Sequence, residues 1–231
     1  MRPEIRQARR YAIEAALSKI SDGMVVGLGS GSTVAQFIDE LQVFLRNNAI
    51  SVKVIPSSYQ TYLLAVENGF DITTLEKNPR PSLTIDSLDQ TTRLGEVVKG
   101  GGGALTREKI LCYAAEETIL ICDYSKVVEK LNTPIPVEVI PFAVGYVVEE
   151  LQSLGGRPKI REGKEKVGPV ISDNGNILID VDFGELENPR ELEEKLDKIP
   201  GVVENGIFSG CVDEIIVGYQ DGKVDSIIPK K

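Results

Sequence analysis

The sequence contains no histidine and no tryptophan among its 231 residues. The absence of histidine excludes imidazole-based catalytic triads, most zinc sites and the commonest general base. Acid–base chemistry must therefore rely on carboxylates, lysine or tyrosine. No apolar run approaches the roughly 20 residues that a membrane-spanning helix needs, and the first residues lack the apolar core of a signal peptide. We therefore expect a cytoplasmic protein with no membrane partner.

Cysteine is also scarce, with three residues at positions 112, 122 and 211. The count is odd and no Cys-x-x-Cys pair occurs, so the spacing indicates neither a disulfide framework nor a zinc site. Cys112 and Cys122 lie within apolar runs. We expect both to be buried free thiols, which fits a reducing cytosol.

Positive charge is in deficit, since 26 lysines and arginines face 35 aspartates and glutamates, for a net charge of −9. An acidic balance argues against nucleic acid or a membrane surface as a partner. The length is sufficient for one large domain or two small ones, and either can bury a core.

Helical and strand patterns alternate over the first half of the chain. The predicted helices are 3–20, 34–47, 59–68 and 107–117, and the predicted strands are 24–28, 51–55, 72–75, 83–85 and 118–122. Such alternation indicates an α/β fold with a parallel sheet covered on both faces.

The pattern changes near residues 132–136, where two prolines occur. The predicted elements that follow are a strand at 137–140, a helix at 145–154, strands at 159–161 and 177–183, a helix at 189–199 and a strand from 202. This βαββαβ order is the ferredoxin-like pattern and predicts a smaller α+β domain. A hairpin of 214–219 and 224–228 follows it.

Residues 29–33, with the sequence GSGST, follow a predicted buried strand and precede a helix. Backbone amides, hydroxyls and a helix N-terminus together make a phosphate site. The Gly-Lys-Ser/Thr ending of a P-loop is missing, so the loop does not imply ATP. A tight turn with a helix cap is the alternative explanation.

Lys99 is followed by four consecutive glycines, and Glu108 lies nine residues after the lysine. Glycines are costly to order, so a flexible linker is one explanation. The other is a loop where a ligand approaches the backbone closely. With the charge of Lys99 and the carboxylate of Glu108, such a loop suits a small anionic substrate and a proton transfer, although Glu108 is also a residue type favoured in a first helical turn.

Asp86 and Asp89 lie where a predicted strand ends and a loop begins. In open α/β sheets, ligands bind outside the carboxyl ends of the strands. The two carboxylates are therefore candidate site residues, although aspartates at such places also cap turns.

Four stretches together resemble the ribose-5-phosphate isomerase family, type A. They are residues 99–109 (KGGGGALTREK), 27–33 (GLGSGST), 123–126 (DYSK) and 134–139 (PIPVEV). The resemblance runs over nearly the full chain in the same order. It implies a Rossmann-like catalytic domain of residues 1–130 and 207–231, a ferredoxin-like domain of residues 131–206, and a homodimer or homotetramer.

The resemblance also implies an activity. The family interconverts ribose 5-phosphate and ribulose 5-phosphate, in the non-oxidative pentose phosphate pathway, without a metal or an organic cofactor. By position, Glu108 would move the proton between C1 and C2 through an enediolate. Asp86 and Asp89 would handle hydroxyl protons and ring opening, and Lys99 would stabilise negative charge.

The implied substrate contacts come from both halves of the catalytic domain. The phosphate would lie at residues 30–33, with Arg9 in place of the family's early lysine. The full set of contacts to the sugar phosphate is Arg9, Ser30, Gly31, Ser32, Thr33, Asp86, Ser87, Leu88, Asp89, Lys99, Gly100, Gly101, Gly102 and Lys126.

One stretch departs from the family. Where the family has Asp-Gly-Ala-Asp-Glu, this chain has Asp-Ser-Leu-Asp-Gln at residues 86–90. The added side-chain atoms at Ser87 and Leu88 are compatible with lower activity or a changed sugar preference, because a Cβ can clash where backbone approaches substrate. A non-catalytic sugar-phosphate sensor on the same fold is therefore the alternative function. A third possibility is an amino-sugar phosphate deaminase or a coenzyme A transferase. The deaminase usually needs a histidine that is absent here, and the transferase needs a glutamate nucleophile in another context.

Overall fold

The computed structural model describes residues 2–163 and 167–230, which form three β-sheets and six α-helices. The strands are β1 (Val25–Leu28), β2 (Lys53–Pro56), β3 (Asp71–Ile72), β4 (Leu83–Ser87), β5 (Gln90–Thr92), β6 (Val97–Val98), β7 (Thr118–Asp123), β8 (Val127–Val128), β9 (Ile135–Val139), β10 (Arg157–Ile160), β11 (Ile177–Asp182), β12 (Val202–Asn205), β13 (Ile207–Phe208), β14 (Glu214–Gly218) and β15 (Val224–Ile227). The helices are α1 (Pro3–Leu17), α2 (Ser32–Asn48), α3 (Tyr59–Glu67), α4 (Leu105–Ala114), α5 (Val144–Ser153) and α6 (Pro189–Leu196).

The largest sheet has seven strands in the spatial order β15-β14-β7-β4-β1-β2-β3. All neighbouring pairs are parallel except β14 with β15, which form the predicted hairpin. From β1 the chain continues to β2 on one side, whereas β4 lies on the other side. The gap between β1 and β4 is thus a topological switch point, where open α/β sheets bind ligands.

The core of this sheet explains why its strands form. Every residue of β7 is buried, as expected for a central parallel strand with helices on both faces. Helix α2 turns a stripe of apolar residues at helical spacing onto the sheet, namely Val34, Phe37, Ile38, Leu41 and Leu45. Burying each such side chain contributes about 1.5–3 kcal/mol relative to exposure. This packing therefore holds the ends of the strands at fixed positions.

The second sheet has four antiparallel strands in the order β10-β11-β9-β12. Helices α5 and α6 cover it through Val147, Leu151 and Leu196. In chain order the elements are β9, α5, β10, β11, α6 and β12, so the predicted ferredoxin-like arrangement is confirmed. We propose residues 131–206 as the extent of this domain, and residues 1–130 with 207–231 as the Rossmann-like one.

The third sheet is small and was not expected from the sequence. Its order is β13-β6-β5-β8, and each of its strands has only two or three residues. Strands this short carry no alternating pattern. Because β13 follows the ferredoxin-like elements and pairs with β6, this sheet joins the two larger ones.

Several element boundaries also differ from the sequence prediction, for example at the predicted helix 3–20, which ends at Leu17. The helix expected over 107–117 is Leu105–Ala114, so it begins directly after the glycines. The short strand expected over 72–75 lies at Asp71–Ile72. Within the described residues, no helix combines the length and the apolarity needed to cross a membrane.

The prediction of a free thiol at Cys112 is wrong, because Cys112 of α4 forms a disulfide with Cys211, at a Cα–Cα distance of 5.6 Å. The pairing was hidden because 99 residues separate the two cysteines. Disulfides are typical of oxidising compartments and of intracellular proteins of hyperthermophiles, so cysteine usage no longer supports a reducing cytosol. Cys122 is free and buried, as expected, and burial raises the pKa of its thiol to about 12.

The cysteine arrangement can be tested by counting thiols with a maleimide and mass spectrometry. We expect no rapid labelling of the native protein, because the one free thiol is buried and protonated. Denaturation without reductant should expose one thiol, and denaturation after reduction should expose three. Three thiols before reduction would contradict the disulfide.

Candidate active site

Polar groups collect at the carboxyl ends of three adjacent strands of the seven-stranded sheet. The loop 29–31 follows β1, Asp86 lies near the end of β4, and Asp123 ends β7. Helix α2 begins at Ser32, so its free N–H groups face the same edge. Parallel strands therefore bring together residues that are far apart in the chain.

The side chain of Lys99 lies at the centre of this cluster. Its Nζ atom is 2.9 Å from Oδ2 of Asp86 and 3.4 Å from Oε2 of Glu108, and it donates a hydrogen bond to the carbonyl oxygen of Ser87. Each of the three charged side chains is at most 5% exposed. A buried charge without a partner is costly. Because one ammonium group lies between two carboxylates, the cluster has an excess negative charge, and this favours binding of a proton by one of the carboxylates.

The pKa values follow from this arrangement. Burial, and then the negative charge of Asp86, raises the pKa of Glu108 to about 8, while Lys99 opposes the rise. Burial also raises the pKa of Asp86, again against Lys99. Burial alone would lower the pKa of Lys99, but the two carboxylates outweigh burial and raise it. Lys99 therefore stays charged, and Glu108 is able to exchange a proton near neutral pH.

Asp86 also connects this cluster to the loop after β1. Its Oδ1 atom accepts hydrogen bonds from the backbone N–H groups of Ser87, at 2.7 Å, and Ser30, at 3.3 Å. A Cβ atom at Gly29 would lie 1.8 Å from the same oxygen, so this position requires glycine. The predicted catalytic residues Glu108, Lys99 and Asp86 are thus joined by direct contacts to the predicted phosphate loop.

The glycine run after Lys99 is an ordered loop. The N–H of Gly101 donates to Oδ2 of Asp89 at 2.7 Å, which places the fourth predicted catalytic residue beside the loop. The guanidinium group of Arg161 donates to the carbonyl oxygens of Gly100 and Gly101, both at 3.2 Å. Gly100 has a φ of +98°, a conformation that favours glycine. At Gly102, by contrast, a Cβ would meet nothing within 4 Å.

The loop at residues 30–33 differs in one respect from the prediction. The hydroxyl of Ser30 is held in a buried cluster, with Ser58 Oγ at 2.6 Å, Ser57 Oγ at 3.0 Å and Thr61 Oγ1 at 3.3 Å. The hydroxyl of Ser30 is therefore directed to these three side chains. The N–H of the next residue, Gly31, donates to Oε1 of Gln60 at 3.2 Å.

Arg9 lies beside this loop, as the sequence predicts. Its Nη1 atom donates to Oγ of Ser32 at 3.1 Å, and its Nη2 atom is 3.6 Å from Oδ2 of Asp123. Its Nε atom is buried without a hydrogen-bond partner among the described residues. An arginine with an unused donor next to a helix N-terminus can bind an anion there. Thr33 is buried in the first turn of α2.

Lys126 lines a neighbouring cavity of about 690 Å³ together with Asp89, Gly101 and the cations Lys159 and Arg161. Two of these cations, Lys159 and Arg161, come from the ferredoxin-like part of the chain. Neither could be predicted from the sequence as a site residue, because single basic residues on or next to a strand form no recognisable pattern.

The three residues that depart from the family pattern all find partners. The hydroxyl of Ser87 donates to the carbonyl oxygen of Ser30 at 3.2 Å. Leu88 is buried in an apolar cluster with Phe208. The side-chain amide of Gln90 accepts from the N–H groups of residues 132 and 133 and donates to Oδ1 of Asn132. Asp86 and Asp89 keep their contacts beside these larger side chains.

A second buried lysine, Lys109, connects α4 to α6 and β12. Lys109 Nζ lies 2.8 Å from Oε1 of Glu193 and 2.7 Å from Oε1 of Glu204. The ring of Phe208 lies close to both lysines, with its centroid 5.1 Å from the Nζ of Lys109 and 5.6 Å from that of Lys99. These glutamates follow no local motif and could not be paired with Lys109 from the sequence.

The chain is similar to known proteins over most of its length. A family model described as ribose 5-phosphate isomerase A (phosphoriboisomerase A) matches residues 53–222. A relative from Archaeoglobus fulgidus named ribose-5-phosphate isomerase A is 48% identical over 210 residues, which are 90% of this chain and 93% of the relative. The structure of ribose 5-phosphate isomerase A from Methanocaldococcus jannaschii has a TM-score of 0.91 and 42% identity, covering 96% of this chain and 98% of its own. A D-ribose-5-phosphate isomerase in complex with phospho-erythronic acid has a TM-score of 0.93 and 40% identity, covering 97% and 99%.

The proton affinity of Glu108 can be measured by ¹³C NMR of labelled glutamate side chains, with the signal assigned by its loss in Glu108→Gln. We expect its carboxyl group to be protonated below, and ionised above, a pKa of about 8. In Asp86→Asn this pKa should fall, because a neighbouring negative charge is removed. A wild-type pKa near the ordinary value of about 4.3 would show that the site does not hold the extra proton.

Proposed function

Because this chain belongs to the ribose-5-phosphate isomerase A family, we infer that it is an aldose–ketose isomerase that interconverts ribose 5-phosphate and ribulose 5-phosphate. This reaction belongs to the pentose phosphate pathway. The alternative of a non-catalytic sensor has no support among the relatives, which are named as isomerases. The deaminase and transferase alternatives likewise have no support there.

We propose Glu108 as the base, and one observation carries this proposal. Its buried carboxylate lies 3.4 Å from the ammonium group of Lys99, which lies 2.9 Å from Asp86, itself bonded to the N–H of Ser30. A base with a pKa near the working pH transfers protons well in both directions.

In the proposed reaction, the carboxylate of ionised Glu108 takes the proton from C2 of the open-chain aldose. The electrons of the C2–H bond form a C1=C2 double bond, and the carbonyl electrons move onto O1. The ammonium group of Lys99 stabilises this enediolate. Glu108 then returns the proton to C1, while the proton on the C2 hydroxyl is lost and O1 gains one. Asp86 and Asp89 are the carboxylates that we assign to these hydroxyl proton transfers and to ring opening.

We propose that the phosphate binds the N–H groups of residues 30–33 together with Arg9, and that Lys126 lies close to the substrate. The helix N-terminus and the free Nε of Arg9 support this placement. The hydroxyl of Ser30 is held by three side chains, whereas its N–H makes only the 3.3 Å contact with Asp86, so we assign Ser30 to binding through its N–H, which exchanges that contact for the phosphate. A related isomerase is described in complex with phospho-erythronic acid, which carries a phosphate and an acid group. We propose that this chain binds the same class of ligand.

Backbone and side-chain contacts from residues 87, 88 and 100–102 complete the proposed sugar site. The proposed chemistry uses no metal and no organic cofactor. We also propose a homodimer or homotetramer, as the family resemblance implies, and a cytoplasmic location, in line with relatives that are metabolic enzymes.

Substitution of Glu108 tests the assignment of the base. Glu108→Gln should lower kcat by about 10²–10⁴-fold, because the amide cannot accept the C2 proton. The assay follows ribose 5-phosphate in the presence of EDTA, and Glu116→Gln, just past the end of the same helix, is the matched control. Full activity in a folded Glu108→Gln variant would remove Glu108 from the mechanism.

Substitution of Arg9 tests the phosphate site. Hydrogen bonds to charged groups contribute roughly 1.5–3 kcal/mol, so Arg9→Met should raise KM for ribose 5-phosphate roughly 10- to 100-fold while kcat changes little. Arg10→Met is the control, because Arg10 is the next residue of α1 and forms an exposed ion pair with Glu14. An unchanged KM for Arg9→Met would place the phosphate elsewhere.

A further inference from the structure

We propose that Glu138, acting through the turn at residues 172–176, fixes the distance between the base on α4 and the phosphate loop. This proposal rests on the proposed function, because it assigns positioning roles to residues that do not touch the substrate. The turn belongs to the ferredoxin-like part of the chain, between β10 and β11.

Glu138 is the hub of this network. It lies on β9, its side chain is 0% exposed, and its carboxylate accepts hydrogen bonds from four neutral donors among the residues that the structure describes. The donors are Thr106 Oγ1 at 2.6 Å, Ser172 Oγ at 2.8 Å, Asn174 Nδ2 at 3.0 Å and Asn176 Nδ2 at 2.7 Å. A buried carboxylate that is satisfied in this way holds all its donors at fixed positions, because losing any of them is costly.

One branch of the network reaches the catalytic helix. Thr106 lies in the first turn of α4, two residues before Glu108. The next residue, Arg107, donates from Nε to Oδ1 of Asn174 at 2.7 Å and from Nη2 to the carbonyl oxygen of Asp173 at 2.8 Å. Both residues that precede the base are therefore anchored to Glu138 or to the turn that it holds.

The other branch reaches the phosphate loop. Oδ2 of Asp173 accepts a hydrogen bond at 2.8 Å from the N–H of Tyr59, the first residue of α3. The residue before Tyr59 is Ser58, which binds the hydroxyl of Ser30. The residue after it is Gln60, which accepts from the N–H of Gly31. Residues 58–60 thus connect the turn at residues 172–176 to the loop at residues 30–33.

The consequence concerns a substrate that is held at both ends. If the phosphate binds the loop while Glu108 acts at C1 and C2, the rate depends on the spacing between these two places. A misplacement of about 1 Å can cost roughly 100-fold in rate. The turn contacts both α4, through Arg107, and the first residue of α3, so it sets this spacing together with the Arg107 guanidinium, which lies 5.5 Å from the centre of the Tyr59 ring.

Two substitutions separate the branches. Thr106→Val removes the donor to Glu138 in the helix branch, and Asp173→Ala removes the acceptor for Tyr59 in the loop branch. Calorimetry would compare inorganic phosphate, which fits only the loop, with phospho-erythronic acid, which is long enough to contact both places. In each variant we expect the affinity for phospho-erythronic acid to fall about 10- to 100-fold and that for phosphate to change less than about 3-fold. The double variant should lose less than the product of the two single losses, since both act on one spacing.

The control is Asp182→Asn, which removes an exposed ion pair with Arg157 elsewhere in the same antiparallel sheet and should leave both affinities unchanged. Thermal unfolding of each variant confirms that it is folded. Equal losses for the two ligands, or wild-type affinity for phospho-erythronic acid in both variants, would overturn the proposal. Either result, with wild-type enzyme that isomerises ribose 5-phosphate, would leave the proposed function intact; inactive wild-type enzyme would instead reject the function.

Discussion

The ammonium group of Lys99 is buried between the carboxylates of Asp86 and Glu108, and the rest of the site depends on this contact. Burial, and then the negative charge of Asp86 that the single ammonium group does not fully offset, raises the pKa of Glu108 to about 8. Without the lysine, two negative charges in a closed site would be far more costly. The same ammonium group is then available to an oxyanion that forms on a substrate. Proton affinity and charge stabilisation therefore come from a single arrangement.

The fold holds this arrangement from two directions. The parallel sheet fixes Asp86 and the loop after β1 at its switch point, with Gly29 allowing their close approach. The ferredoxin-like part fixes α4, through Glu138 on one side of Glu108 and through Glu193 and Glu204, which bind Lys109, on the other. The proposed base is thus presented by a helix that is anchored to a different sheet from the one that bears the phosphate loop.

Much of this could be predicted from the sequence, for reasons that differ between residues. The alternation of strands and helices predicted the parallel sheet. The glycine run beside Lys99 indicated either a linker or a loop close to a ligand, and the structure shows an ordered loop. Contacts between distant segments could not be predicted. The Cys112–Cys211 disulfide, the Glu138 network and the hydroxyl cluster around Ser30 link residues that are far apart in the chain and follow no repeating pattern. The strands of the third sheet are too short to show a period.

A crystal structure of this protein with phospho-erythronic acid bound tests the central claim most directly, because it locates both ends of a ligand at once. We expect the phosphate to contact the N–H groups of residues 30–33 and the acid group to lie within hydrogen-bond distance, about 2.6–3.2 Å, of Lys99 Nζ with Glu108 beside it. A ligand bound with its acid group away from Lys99 and Glu108 would contradict the account.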